Sequence, residues 1–546
     1  MSVDPEALVV TASSDSVRTI RRSSINFFSG TMLSRISGML RDIVLAFCFG
    51  THEALAAFFV AFRLAHLARR LFGEGALQSA FIPLFEEIRK DSYVQGCRFF
   101  RDLSILWTIL LIVACCLSGA VLSAWQHLVS PEGGAAEILT LTILMLPSLI
   151  PTCLFGLNIS FLQCQKQYFA AGVAPAFFNL VIIGTSLLFS GRGPKEIMPV
   201  LSIGVIVACI AQWAATFLPV FWQCKEALGK QLFSGIALRS PEIKRLWHPL
   251  MLGLLGIGAS QINNAIDALF ARAADPEGPA QLWFSIRFQQ LPLALFGIAV
   301  ANAILPPLSR AIQANDSARY HQFLEYGLKN VLALLAPCTG LLIVCGMAMI
   351  NCIYGHGDFQ AHSVISTTGC LQGYTLGLIP TGLILVLAPA FYARGNYTIP
   401  MRGACLSLAL NTLLNTILVF GFGWGAISVA VATSISAWIN ASYLYLHLRK
   451  DLGPLLSQEG MVSCLRTCMV SLTTSALVFA TVALWFSTPV FFHAFDPSTT
   501  AVPQGLFQQG IHLAVPMTLF GLFLLLFAKI FKAQDILAIA RIERTM

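Results

Sequence analysis

The segment Phe59–Phe85 reads FVAFRLAHLARRLFGEGALQSAFIPLF: a run apolar enough to cross a bilayer, yet it contains Arg63, Arg69, Arg70 and a Gly73-Glu74-Gly75 interruption. An arginine at mid-membrane costs roughly 2.5–3.5 kcal/mol on insertion scales. Arg35 and Arg41 lie in the apolar run before it, and Arg287 in a later one. The same runs offer few acids in return, chiefly Asp42, Glu74 and Asp267. Such arginines must line a wet cavity, and a cavity of that charge suits an anion.

Working outward, the 546 residues are 56% hydrophobic and 11% charged. That is far below the quarter of charged residues usual in soluble domains, so the chain is polytopic in a membrane. The apolar runs use Gly, Pro and Ser freely and do not alternate, which selects helices over a barrel. The fold class is therefore all-α, with about fourteen transmembrane helices. The net charge of +8 is no nucleic-acid signal. Most of the 34 basic residues fall in alternate short loops, which places both termini in the cytoplasm. Residues 1–23 read as a polar cytoplasmic tail without the apolar stretch of a signal peptide. The 15 cysteines are scattered and lack metal-ligand spacing, so they read as small buried hydrophobes.

The motif in the opening segment recurs 224 residues later: Arg63, Leu67, Leu71-Phe72-Gly73 and Pro83-Leu84 are matched by Arg287, Leu291, Leu295-Phe296-Gly297 and Pro307-Leu308. Leu149-Ile150-Pro151-Thr152 returns as Leu378-Ile379-Pro380-Thr381, 229 residues on. These echoes predict two six-helix repeats of like orientation around a central cavity, plus two extra C-terminal helices. The expected lobes are residues 24–224 and 246–450, joined by a cytoplasmic linker at 225–245. Residues 451–546 hold the last two helices and a cytoplasmic tail.

On the first span, Arg35 and Asp42 share a face with Gly38, while Arg41 points elsewhere. Asp42 either pairs internally with one of these arginines or helps to orient them. On the second, Arg63, Arg70 and Glu74 form a stripe flanked by His66 and Arg69. Glu74 there orients arginines, Arg69 and Arg70 alternatively snorkel to a surface, and His66 is either packed or a gating proton switch. Arg287, the repeat partner of Arg63, is expected to face it across the cavity. Two guanidinia closing on one diphosphate form bidentate, charge-assisted bonds that lysine does not reproduce. Asp267, with Asn263 and Asn264, and the group Asn411, Thr412 and Asn415 offer hard oxygens to a monovalent cation, or hydrogen bonds between helices. There is no nucleotide-binding loop and no catalytic motif, so the chain reads as a transporter without cofactor and not as an enzyme.

The run Gly30-Thr31-Met32-Leu33-Ser34-Arg35-Ile36-Ser37-Gly38-Met39-Leu40-Arg41-Asp42 resembles the start of the MurJ/MviN lipid II flippases, and so does Phe59 to Pro83. Ser260-Gln261-Ile262, Arg287 with Pro292, and Ala388 to Arg394 extend the likeness over nearly the whole chain after residue 23. The resemblance implies a fourteen-helix member of the multidrug/oligosaccharidyl-lipid/polysaccharide exporter superfamily in the bacterial inner membrane. It implies flipping of undecaprenyl-diphosphate-linked disaccharide pentapeptide for peptidoglycan synthesis. It assigns the diphosphate to Arg35, Arg41, Arg69 and Arg287; the repeat and the helix stripe add Arg63 and Arg70 as secondary contacts. It also implies a groove for the lipid tail in the last two helices, and coupling to sodium or membrane potential. The expected cation set is Asp267, Asn396 and Thr412. Expected partners are lipid II, membrane lipids and the cell-wall synthesis or division machinery, with no nucleic acid. The chain departs from the family at Ala56 and Asn396, where relatives carry Asp, and at Ala65-His66 in place of Pro-Asn; Glu53 or Glu74 could replace the lost acid.

Two other transport readings compete. Efflux of cationic drugs wants buried acids, which the arginines oppose. A flippase for another polyprenyl-diphosphate glycan shares the electrostatics, and only the motifs speak against it.

Overall fold

The computed structural model describes residues 17–67, 69, 75–129, 133–486, 502–503 and 505–542. All regular structure among them is helical. In chain order the helices are α1 (Val17–Phe49), α2 (Glu53–Ala65), α3 (Ala76–Asp91), α4 (Tyr93–Val129), α5 (Gly134–Met145), α6 (Leu149–Cys164), α7 (Tyr168–Phe189) and α8 (Pro194–Leu228). Then come α9 (Pro241–Ala274), α10 (Gly278–Pro292), α11 (Ile298–Gln313), α12 (Ser317–Tyr354), α13 (Ala361–Thr375), α14 (Leu378–Ala393), α15 (Thr398–Thr416) and α16 (Ile427–Leu452). The last are α17 (Gln458–Phe486), α18 (Leu506–Ile530) and α19 (Gln534–Ile542).

Eleven helical stretches among the described residues are long and apolar enough to cross a membrane, three of them (Gly134–Cys164, Gly278–Gln313 and Ala361–Ala393) each covering two successive helices. Helices α1, α2, α3, α9 and α19 are not among them. Helices α2, α3 and α19 are only 13, 16 and 9 residues long, whereas α1 and α9 carry Arg35, Arg41 and Asp267, polar residues that lower their hydropathy. In α4 only 11% of the most apolar window is buried; the rest is clad in exposed Leu, Ile and Val, as a lipid-facing surface requires.

The chain forms two compact units. One comprises residues 1–44, 65–131 and 139–257; the other 45–64, 132–138 and 258–546. The segment expected as a cytoplasmic linker, 225–245, belongs to the first unit, where side chains hold it. Arg101 is buried, pairs with Asp102 at 2.6 Å, and donates to the carbonyls of Gln231, Ser234 (2.9 Å) and Gly235 (3.0 Å). Asp102 in turn accepts from Ala237 N–H at 3.3 Å. Lining the core of this unit is a ladder of Phe81, Phe85, Phe99, Phe100 and Phe161, with neighbouring rings 4.5–5.7 Å apart.

In the second unit, residues 45–64 pack with the C-terminal helices. Gly50 (φ +54°) and Gly357 (φ +62°) permit this: a Cβ on either would strike the backbone of Asp358 or of Phe47. Asp358 N–H donates to the Phe47 carbonyl at 3.0 Å. Helices α17 and α18 pack on α12 through Val344, Cys345, Val478, Val482 and Phe520. Gly340 lets Ser475 come close, in the manner of small residues at membrane helix interfaces.

Gly75 (φ +79°) immediately precedes α3, and a π-turn at Leu293–Gly297 follows Pro292 between α10 and α11. Between α13 and α14 the backbone breaks at Gly377, and side chains satisfy the freed carbonyls: Ser434 on Gly373 (2.6 Å), Gln289 on Tyr374 (2.6 Å) and Trp438 on Leu376 (3.0 Å). The offsets of the sequence echoes reappear in helix bounds. Helices α4 and α12 start 224 residues apart. Helices α6 and α14 are each 16 residues long, start 229 apart, and end before a positive-φ residue, Lys166 (+57°) or Gly395 (+71°).

Candidate substrate and cation sites

In the first unit, Arg41 is the held arginine of α1. Its Nε and Nη2 donate to Asp42 Oδ1 at 3.1 and 2.7 Å, and its Nη1 to Asn179 Oδ1 at 3.1 Å. Asp42 is therefore the internal partner of Arg41 and not of Arg35. Asn179, buried on α7, also donates to Ser37 Oγ (2.9 Å) and the Ser34 carbonyl (3.3 Å), tying α7 to α1 where Gly38 leaves room. Arg35 is exposed and makes no hydrogen bond or ion pair among the described residues. Of the two, Arg35 is thus the cation without a protein partner among the described residues. Asn179 carried no sequence signal, being one amide in an apolar span 138 residues from its arginine. Replacing it with alanine leaves the Ser37 Oγ acceptor and the Arg41 Nη1 donor each with one partner fewer. We expect a loss of about 1–3 kcal/mol of stability, read as a lower melting temperature of the purified protein.

His66 is buried, and its Nε2 lies 3.3 Å from Ser148 Oγ and 3.8 Å from Cys209 Sγ. The Ser148 hydroxyl already donates to the Met145 carbonyl at 2.6 Å, so the imidazole Nε2–H is the donor to Ser148. Arg69 follows in a turn, its N–H on the His66 carbonyl at 3.0 Å. Arg70 and Glu74 lie outside the described residues.

In the second unit, Arg63 of α2 and Arg287 of α10 approach one indole. Their Cζ atoms lie over the Trp283 ring, 5.7 and 4.6 Å from its centroid. Trp283 itself stacks on Phe59 at 4.4 Å with the rings 8° from parallel, and Phe62 meets it edge-on at 6.0 Å. Arg63 Nη1 also reaches the Asn264 carbonyl at 3.4 Å. The two arginines were expected to face each other from two bundles; instead both belong to one compact unit, because residues 45–64 pack with the C-terminal helices. Phe59 and Trp283 were not singled out in the sequence, where 40 Phe and 9 Trp hide them.

Asp267 of α9 is buried among amides. Its Oδ1 accepts from Asn411 (2.7 Å) and Asn415 (2.9 Å) of α15, and its Oδ2 from Asn263 (3.0 Å) and from Thr433 of α16 (3.4 Å). Asn411 also donates to Asn263 Oδ1 at 2.9 Å. Two atoms are anomalous: Asn411 Oδ1 and Asn415 Oδ1 are buried without a hydrogen-bond partner among the described residues. Turning either amide over would bring its oxygen towards the carboxylate, an arrangement that only a cation between them makes favourable. The described residues hold no cluster of three His, Cys, Asp or Glu, so the donor set has one formal charge and fits a monovalent ion. Of the expected set of Asp267, Asn396 and Thr412, only Asp267 takes part in these hydrogen bonds. Asn396 accepts from Ile399 N–H at the start of α15, some 15 residues and roughly 20 Å of helix from Asn411. Thr412 donates to the Leu408 carbonyl. The residues that reach Asp267 are Asn263, Asn411, Asn415 and Thr433.

Comparison with known proteins accords with this geometry. The family model described as lipid II flippase MurJ matches residues 45–501. A probable lipid II flippase MurJ of Chlamydia muridarum (strain MoPn / Nigg) is 33% identical over 544 residues, covering 96% of this chain and 97% of the relative. The fold is shared with a solved lipid II flippase MurJ in an inward closed conformation, at TM-score 0.71 and 24% identity over 92% of this chain and 99% of that one. It is shared more distantly with an inward-facing MATE-family multidrug resistance transporter of the MOP superfamily, at TM-score 0.60 and 13% identity over 79% and 98% of the two chains. An all-helical membrane fold, arginines set into apolar helices and a family match over most of the sequence lead to one conclusion: the chain belongs to the MurJ lipid II flippase family.

Proposed function

We propose that this protein moves lipid II from the inner to the outer leaflet of the bacterial cytoplasmic membrane by alternating access, its arginines holding the diphosphate. The observation that carries the reading is the convergence of Arg63 and Arg287 on Trp283. Two like charges gathered at one ring inside apolar helices cost energy unless an anion joins them. A diphosphate does so with bidentate bonds to each guanidinium. In the first unit, the exposed Arg35, Arg69 and the Asp42-paired Arg41 are the further arginines this reading assigns to the diphosphate. In this reading α1, the α2–α3 pair and α9 also cross the membrane. They complete fourteen spans with both termini cytoplasmic, and the recurring helix bounds reflect two six-helix repeats.

The cluster around Asp267 supports coupling to a monovalent cation. Asp267, Asn411, Asn415, Asn263 and Thr433 would hold the ion, which supplies charge compensation for the buried carboxylate. Helix α9 also carries the Asn264 carbonyl that receives Arg63, one turn from Asp267, so a shift of α9 reaches the arginine directly.

The test is complementation. In bacteria depleted of their own lipid II flippase, the wild-type chain is expected to restore growth and lipid II exposure on the outer leaflet. Correctly inserted protein that restores neither would overturn the reading in favour of another polyprenyl-diphosphate glycan.

A further inference from the structure

Among the aromatic residues one pair has a position that packing alone does not require. Phe59 precedes Arg63 by four residues on α2, and Trp283 precedes Arg287 by four on α10. Residues four apart share a helix face, so each arginine sits one turn beyond an aromatic ring. The 224-residue offset that relates Arg63 to Arg287 also relates Phe59 to Trp283. The two rings stack on each other at 4.4 Å, and both guanidinia then lie over the indole. The stack sets the register of the two helices one turn before the arginines, and the indole face attracts both cations that would otherwise repel.

We propose that Trp283 is the positioning residue of the arginine pair: stacked on Phe59, its indole keeps the Arg63 and Arg287 guanidinia within reach of a single diphosphate before substrate arrives. The inference rests on the diphosphate reading above and adds a specificity element to it. Indole is the strongest of the aromatic faces for a cation, and here one ring serves two. The attraction is soft, unlike a carboxylate ion pair, so the guanidinia can exchange it for bidentate bonds to phosphate oxygens. A carboxylate in the same place would compete with the anion. Trp283 is half-buried, which leaves part of the ring open to that exchange. A headgroup with one phosphate engages one guanidinium and gains little from the pairing, so Trp283 favours diphosphates over monophosphates.

The experiment measures binding of two probes, undecaprenyl diphosphate and undecaprenyl monophosphate, to the full-length protein in nanodiscs. Wild type is expected to prefer the diphosphate. Trp283→Phe, which keeps a π-face, should stay within about threefold of wild type. Trp283→Leu should bind the diphosphate about tenfold more weakly and the monophosphate almost unchanged, the loss of roughly one cation–π interaction between buried groups. A second measurement does not depend on the leucine variant folding. The tryptophan emission of wild type minus that of Trp283→Phe should change when diphosphate is added and stay constant with monophosphate. If wild type prefers neither probe, the diphosphate reading itself falls. If wild type prefers the diphosphate but Trp283→Leu keeps both affinity and preference, the role of Trp283 alone is overturned. A difference emission that ignores the diphosphate would overturn it as well.

Discussion

Arg287→Ala is expected to abolish rescue of flippase-depleted bacteria while the protein reaches the membrane at wild-type levels. The guanidinium would make two charge-assisted hydrogen bonds to the diphosphate, each worth roughly 1.5–3 kcal/mol. Their loss lowers affinity by about two to four orders of magnitude. Poor insertion cannot account for such a result, because taking an arginine out of an apolar helix relieves a cost of roughly 2.5–3.5 kcal/mol. Arg287→Lys separates charge from geometry. Lysine restores the positive charge as a point but not the planar fork that grips two oxygens, nor the broad overlap with the Trp283 face. It should recover little activity. The readouts are growth and outer-leaflet lipid II, with membrane level checked by immunoblot. Wild-type rescue by Arg287→Ala would remove the diphosphate clamp from the mechanism.

The membrane class and the arginines were legible in the sequence because both are one-dimensional signals. Runs of apolar residues give helices, and a guanidinium inside such a run is conspicuous. The 224-residue echo tied Arg63 to Arg287 without any structure. What surrounds the arginines was not legible, since those partners come from distant helices. Asn179 is one amide in an apolar span, Thr433 one hydroxyl among many, and Trp283 one ring in an aromatic-rich chain. The helical angles of α1 favoured an Arg35–Asp42 stripe, yet neighbouring Arg41 curls back onto Asp42 and leaves Arg35 exposed. Asn396 caps the start of α15 by accepting from Ile399 N–H, a role that looks the same in sequence as ion binding. The two units were equally hidden. Contacts at Gly50 and Gly357 draw residues 45–64 to the C-terminal helices, against their order in the chain.

Asp267→Asn tests the other half of the mechanism and should be nearly as damaging. The carboxylate gathers four donors from three helices, and two asparagine oxygens nearby have nothing to accept. If those oxygens turn towards a monovalent cation, the folded protein is stabilised by the ion in proportion to its occupancy. At a concentration one hundred times the dissociation constant the gain is about 2.7 kcal/mol. Wild-type protein should therefore melt higher in sodium chloride than in choline chloride at equal ionic strength. Asp267→Asn should erase that difference, because the amide supplies no charge and presents N–H groups to the ion. It should also remove transport, since α9 no longer responds to the gradient and Arg63 is held by a carbonyl of that same helix. Asn415→Leu offers a milder version: the carboxylate stays, one oxygen is lost, and the sodium response should weaken without vanishing. Equal melting of wild type in sodium, potassium and choline would mean that Asp267 only fastens α9, α15 and α16 together. In that case the unpartnered asparagine oxygens would be a local cost of packing, and the driving force for flipping would have to come from elsewhere.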